Sequence, residues 1–110
     1  MFMPGLMDNE KTEGLLNTIL ALKDIKEAKA FFRDLLTPSE LTEFGNRWLA
    51  AQMLYEDVSY NAIQKATGLS TTTIARISKW LKRGKGGYKL MLKRSGEHHH
   101  KSLPSGKGLS

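Results

Sequence analysis

The sequence predicts an all-α chain, and three observations carry that prediction. Apolar residues recur at three- and four-residue spacing through most of the chain as far as Arg83. Residues suited to cap a helix stand ahead of those stretches, at Asp24, Thr37, Ser59 and Ser70. Only Tyr88, Leu90 and Leu92 alternate as a strand would. That run is short enough to be a strand, a helical turn or an arm folded on the core.

After a loose, Met-rich lead over residues 1–7, the spacing predicts a helix from Asp8 to about Leu22. Leu15, Leu16, Ile19 and Leu20 form its apolar stripe, and Gly14 weakens it. A second helix starts at Asp24, with Glu27 three residues on, and continues through Ile25, Ala28, Phe31, Phe32, Leu35 and Leu36. Helices this short are marginal alone in water, so each must bury its stripe on a neighbour or a partner chain.

Thr37-Pro38-Ser39-Glu40 is the clearest start signal in the chain. Thr37 caps, Pro38 sits where its missing donor costs nothing, and Glu40 closes a capping box. The helix that follows, Pro38 to Tyr55, carries Leu41, Phe44, Trp48, Ala51 and Tyr55 on one side, adjoined by Gly45, Leu49 and Met53. So wide an apolar sector suits a central helix packed on neighbours within and between chains; Gly45 weakens the helix, and a close helix crossing would explain it.

Residues 59–83 read as a helix-turn-helix. Ser59 caps a brief helix over Asn61 to Ala66 with Ile63 and Ala66 inward, and Thr67-Gly68-Leu69 is the turn. Ser70 caps a second helix in which Ile74, Ile77 and Leu81 share one face, while Thr72, Arg76, Lys79 and Arg83 line the opposite one. Arg reads guanine edges or phosphates, Thr offers a methyl and a hydroxyl, and Lys neutralises phosphate. The candidate DNA contacts are Ser70, Thr71, Thr72, Thr73, Arg76, Lys79, Lys82, Arg83 and Lys85. The pattern departs from most such units at Gln64, where a small residue usually stands. A purely structural helix pair with a solvated basic face is the alternative at this level.

With 110 residues the chain is one small domain, and oligomerisation is a natural way to complete its core. A net charge of +6 and a pI near 9.7 favour a polyanionic partner. The cations crowd around and beyond the second motif helix, whereas residues 8–57 are close to balanced. Without cysteine there is neither a disulfide framework nor a thiolate metal site. No apolar run reaches the roughly 18 residues of a membrane span, and the opening lacks the pattern of a signal peptide, so the expected location is cytoplasmic. No catalytic constellation, phosphate loop or zinc-protease motif is present, which argues against an enzyme and against a cofactor. His98-His99-His100 lies in a segment without fixed geometry, so no specific metal is expected there. The domain is expected to span residues 1–94. Residues 95–110, rich in Gly, Ser, Lys and His, are expected to be a disordered or vector-derived tail.

From Leu36 to Lys82 the chain resembles the bacterial tryptophan repressor (TrpR) superfamily, and more closely its TrpR-related YerC/YecD branch. The shared frame is Leu36-Thr37-Pro38, Phe44-Gly45-Asn46-Arg47, the Ser59 start and Thr73-Ile74-Ala75-Arg76. The resemblance implies an intertwined, all-helical homodimer that presents two recognition helices to successive major grooves of double-stranded DNA. It also implies a transcriptional regulator, normally a repressor. Arg47 and Arg76 match two arginines that hold the corepressor in that family, and Thr37 matches a threonine near the pocket. Ile77 and Trp80, however, replace a small glycine and a small serine, and their bulk would collide with a bound indole. Thr37, Arg47, Arg76, Ile77 and Trp80 are thus a possible remnant of an effector pocket, and L-tryptophan is not expected as corepressor. Trp80 reads either as a packed aromatic or as a built-in mimic of the missing ligand. The rival functions are a protein-interaction helical module and a non-specific nucleic-acid binder.

Overall fold

The structure is a computed structural model that describes residues 5–99, with side chains as far as residue 96. Among these residues are six helices: α1 (Glu10–Leu20), α2 (Ile25–Leu35), α3 (Pro38–Tyr55), α4 (Tyr60–Thr67), α5 (Thr71–Arg83) and α6 (Gly87–His99). Contacts divide the chain into two units, Met1–Leu41 and Thr42–Ser110, with the boundary inside α3. No helix among the described residues is long and apolar enough to cross a membrane.

The first unit is a set of well-capped helices without a core. Asn9, one residue after the expected start, is the α1 cap; its Oδ1 accepts from the Thr12 N–H at 2.9 Å. Asp24 Oδ1 accepts from the Glu27 N–H at 2.8 Å, and Glu27 Oε1 accepts from the Lys23 N–H at 2.9 Å. The box at α3 closes reciprocally: Thr37 Oγ1 accepts from the Glu40 N–H at 3.1 Å and Glu40 Oε1 from the Thr37 N–H at 2.9 Å. Yet neither α1 nor α2 buries a single residue, and Leu20 and Ile25 are 81 % and 72 % exposed.

The second unit holds the core. Ala50 and Ala51 of α3, Ile63 of α4, Leu69 of the turn, Ile74, Ile77 and Leu81 of α5, and Leu92 of α6 form one buried cluster. Trp48, Met53, Leu54, Val58 and Tyr88 pack against it. Asp57, at φ 62°, turns the chain from α3 into α4. Ser59 caps α4 by accepting from the Ala62 N–H at 3.2 Å. Gly68, at φ 74°, ends α4, a backbone conformation that a β-carbon would penalise.

Two expectations need correction, and one reading left open is settled. Thr67, not Ala66, follows Ile63 inward. It sits one helical turn further on, and its hydroxyl is satisfied by donating to the Ile63 carbonyl at 2.8 Å and accepting from the Leu69 N–H at 3.1 Å. Within one chain no close helix crossing accounts for Gly45, since a β-carbon built there finds nothing within 4 Å. The alternating Tyr88, Leu90 and Leu92 belong to a helix; only Tyr88 and Leu92, at i and i+4, turn inward, and Leu90 is exposed. That helix runs on to His99 and so takes in residues 95–99, which the composition had assigned to a tail. Extending an established helix costs far less than starting one. The remainder of the proposed tail, residues 100–110, lies outside the described residues, as do the side chains of the His98–His100 run.

Candidate nucleic-acid interface

The outer face of α5 is positioned by what its inner face buries. Ile74, Ile77, Ser78 and Leu81 are buried, and at 3.6 residues per turn that places Thr72, Arg76, Lys79 and Arg83 outward. All four are exposed, as are Thr71, Lys82 and Lys85. Ser70 and Thr73 differ from the rest. Ser70 Oγ accepts from the Thr73 N–H and donates to Thr73 Oγ1, both at 3.1 Å, so this pair builds the helix start. Lys82 and Arg83 also lie in the last turn of α5, where cations complement the helix dipole.

Charge sets this region apart. From Val58 to Gly96 there is no Asp or Glu, but nine Lys and Arg. Every one of the nine is exposed, and among the described side chains none is in an ion pair; Arg47–Glu43 is the one such pair there. Residues 8–57 hold ten acidic against six basic side chains, so the balance expected there is in fact an acidic excess. Unpaired cations on one segment create a local field that attracts a polyanion.

The residues of the possible effector pocket are placed differently from one another. Thr37 belongs to the first unit, as a helix cap. Arg47 is held by its own helix, with Nε 3.1 Å from Glu43 Oε2. Arg76 is exposed. The two bulky residues part company: Ile77 is 3 % exposed in the core, while Trp80 is 41 % exposed with Lys79 Nζ 5.6 Å from its ring centre.

Sequence reasoning missed one element of the region. Tyr88 of α6 stacks on Trp48 of α3, with ring centres 6.5 Å apart and planes 17° from parallel. Burial raises its phenol pKa above the ordinary 10.0, and the Arg47 guanidinium opposes that rise. The i, i+4 spacing of Tyr88 and Leu92 was a legible signal for the helix, but nothing local points to Trp48 as the partner.

A small all-helical chain carrying a capped helix pair with an apolar back and an unpaired basic front is of the helical DNA-regulator type in architecture. The family follows: the chain belongs to the Trp repressor protein family, whose sequence model matches residues 10–96. Within it the chain falls in the TrpR-like group that includes the YerC/YecD branch. It is 39 % identical over 85 residues to Uncharacterized protein YerC of Bacillus subtilis (strain 168), covering 77 % of this chain and 82 % of that protein. A crystal structure of a TrpR-like protein from Eubacterium eligens ATCC 27750 superposes with a TM-score of 0.78 at 38 % identity, over 82 % of this chain and 93 % of that one. A Trp repressor-type protein from Staphylococcus aureus gives 0.79 at 28 % identity, over 86 % and 95 %. Proteins of this family are regulators and not enzymes.

The environment of Tyr88 carries a pH signature. A raised phenol pKa means that the folded state favours the neutral form. Its contribution is therefore fully present below the unfolded value of 10.0 and is lost as pH rises through the folded one. Ultraviolet difference titration of the wild type against Tyr88→Phe should show the Tyr88 phenol ionising above the ordinary 10.0. A phenol at Tyr88 ionising at the ordinary value would mean that its ring is not buried.

Proposed function

We propose that this protein is a sequence-specific, DNA-binding transcriptional regulator that acts as a homodimer, normally represses, and does not use tryptophan as corepressor. The observation that carries the reading is the exposed, unpaired cationic front of α5 beside its hydroxyls, on a segment without any acid. On this reading α4 and α5 form a helix-turn-helix, with α5 entering the major groove. Thr72, Arg76 and Lys79 read base edges, and Lys82, Arg83 and Lys85 hold phosphates. The exposed apolar residues of α1, α2 and α3, including Leu20, Ile25, Leu35 and Phe44, support a second copy as their cover.

The absence of a tryptophan response rests on three placements. Ile77 fills core space, Trp80 adds an indole on the same helix, and Arg47 is already engaged by Glu43. Double-stranded DNA and a second copy of the chain are thus the proposed partners, and the location consistent with them is cytoplasmic.

Three measurements test this. Sedimentation equilibrium at micromolar concentration should give twice the 12.3 kDa chain mass, and a 12.3 kDa species would end the dimer. Against an operator selected from fragments of the source genome, the Thr72→Ala, Lys79→Ala double variant should lose roughly ten- to a hundredfold in affinity. Lys85→Ala should weaken all sequences about equally and reduce the salt slope by about 1. Unchanged affinity in the double variant would show that this face does not read DNA. Calorimetry with millimolar L-tryptophan should show no saturable heat, and operator affinity should be the same with and without it. A saturable heat with a tenfold gain would restore the corepressor.

A further inference from the structure

The end of α5 is built in a way that DNA contact does not require. Its cap, Gly84, donates its N–H to the Trp80 carbonyl at 2.9 Å, and a β-carbon at Gly84 would overlap that same carbonyl oxygen. The turn is therefore tight against the last turn of α5, and only two further residues separate it from α6. α6 then enters the core: Leu92 is buried, and Tyr88 lays its ring against Trp48 of α3. Arg47, one residue before Trp48, is held by Glu43 on one side and lies close enough to Tyr88 to act on its phenol. At the other end of α5, Leu69 and Ile74 are buried in the same cluster.

We infer that Tyr88 is a positioning residue: by stacking on Trp48 it latches α6 to α3, and through the Gly84 turn it fixes the C-terminal end of the reading helix without any ligand. The inference rests on the regulator reading and gives a physical reason for its lack of a tryptophan response. A helix buried along one face and tied at both ends has little freedom for a small molecule to remove, so binding such a molecule has nothing to select between. Tyr88 touches no DNA in this scheme. It acts by keeping the binding-competent fraction near one.

The test uses the full chain with no small molecule present. In Tyr88→Ala, amides in the second half of α5 should exchange faster. Affinity for the selected operator should fall about tenfold as the competent fraction falls to about a tenth, while Tyr88→Phe keeps both near wild type. A second variant inserts a short glycine run after Gly86, which leaves the stack and the packing of Leu92 in the core intact and slackens only the Gly84 turn between α5 and α6. If the stack merely stabilised the fold, this insertion would change neither α5 exchange nor operator affinity; as a latch, it should change both. Wild-type exchange and affinity in the insertion variant, or in a folded Tyr88→Ala, would overturn the inference. Should the wild-type chain bind no DNA fragment at all, the regulator reading fails. The exchange comparison needs no DNA and decides the latch on its own.

Discussion

The joint burial of Ile63 and Ile74 is the constraint on which the rest of the second unit depends. They are the largest fully buried side chains among the described residues, one on each helix of the α4–α5 pair. With Ile74 inward, the helical repeat sends Thr72, Arg76, Lys79 and Arg83 to the opposite side, whatever their own preferences. With Ile63 inward, α4 must end at Thr67, because the chain needs Gly68 in the left-handed region to bring Leu69 back into the core. The basic front is thus a consequence of the apolar back. Loss of either isoleucine would remove buried volume and also the reference from which the reading face is aimed, at a cost of about 2–5 kcal/mol for truncation to Ala.

The first unit shows what happens when the same local rules lack such an anchor. α1 and α2 are correctly capped, and α2 adds an edge-on Phe31–Phe32 pair with ring centres 5.4 Å apart, yet neither helix buries a residue. Caps contribute roughly 1 kcal/mol each and cannot hold an 11-residue helix in water by themselves. What is missing is a surface to receive the stripes. On the proposed dimer, a second copy supplies one without any new sequence, and the order of this unit then depends on association.

Local chemistry was legible and cross-helix packing was not. Thr37, Pro38 and Glu40 located the start of α3 to the residue, because a capping box is satisfied within four residues of itself. Gly68 and Ser70 did the same for the motif. Thr67 was misjudged because an inward threonine is costly only until its hydroxyl finds partners, and those are backbone groups fixed by the fold. α6 stayed ambiguous because Tyr88, Leu90 and Leu92 satisfy a strand repeat as well as Tyr88 and Leu92 satisfy a helical one. The candidate site divided in the same way. Spacing fixes the outward face of α5, but it places Ile77 and Trp80, three residues apart, on one wall, and the core claims only the first. The Tyr88–Trp48 pair escaped notice because it joins residues forty positions apart, and no local pattern encodes that.

The charge pattern divides affinity from specificity on the proposed reading. Nine exposed cations on an acid-free segment attract any nucleic acid, and their contribution falls steeply with salt. Sequence choice needs donors and apolar groups at base edges, and on α5 those are few: the Thr72 methyl and hydroxyl, Arg76 and Lys79. A protein with a large general term and a small specific one must aim the specific groups accurately, since a misaligned helix keeps its phosphate contacts and loses its base contacts. Rigid placement of α5 by Ile74 along its back, by the Gly68 turn at its start and by Gly84 and α6 at its end meets that need. On that reading, the same placement leaves little slack for L-tryptophan to take up.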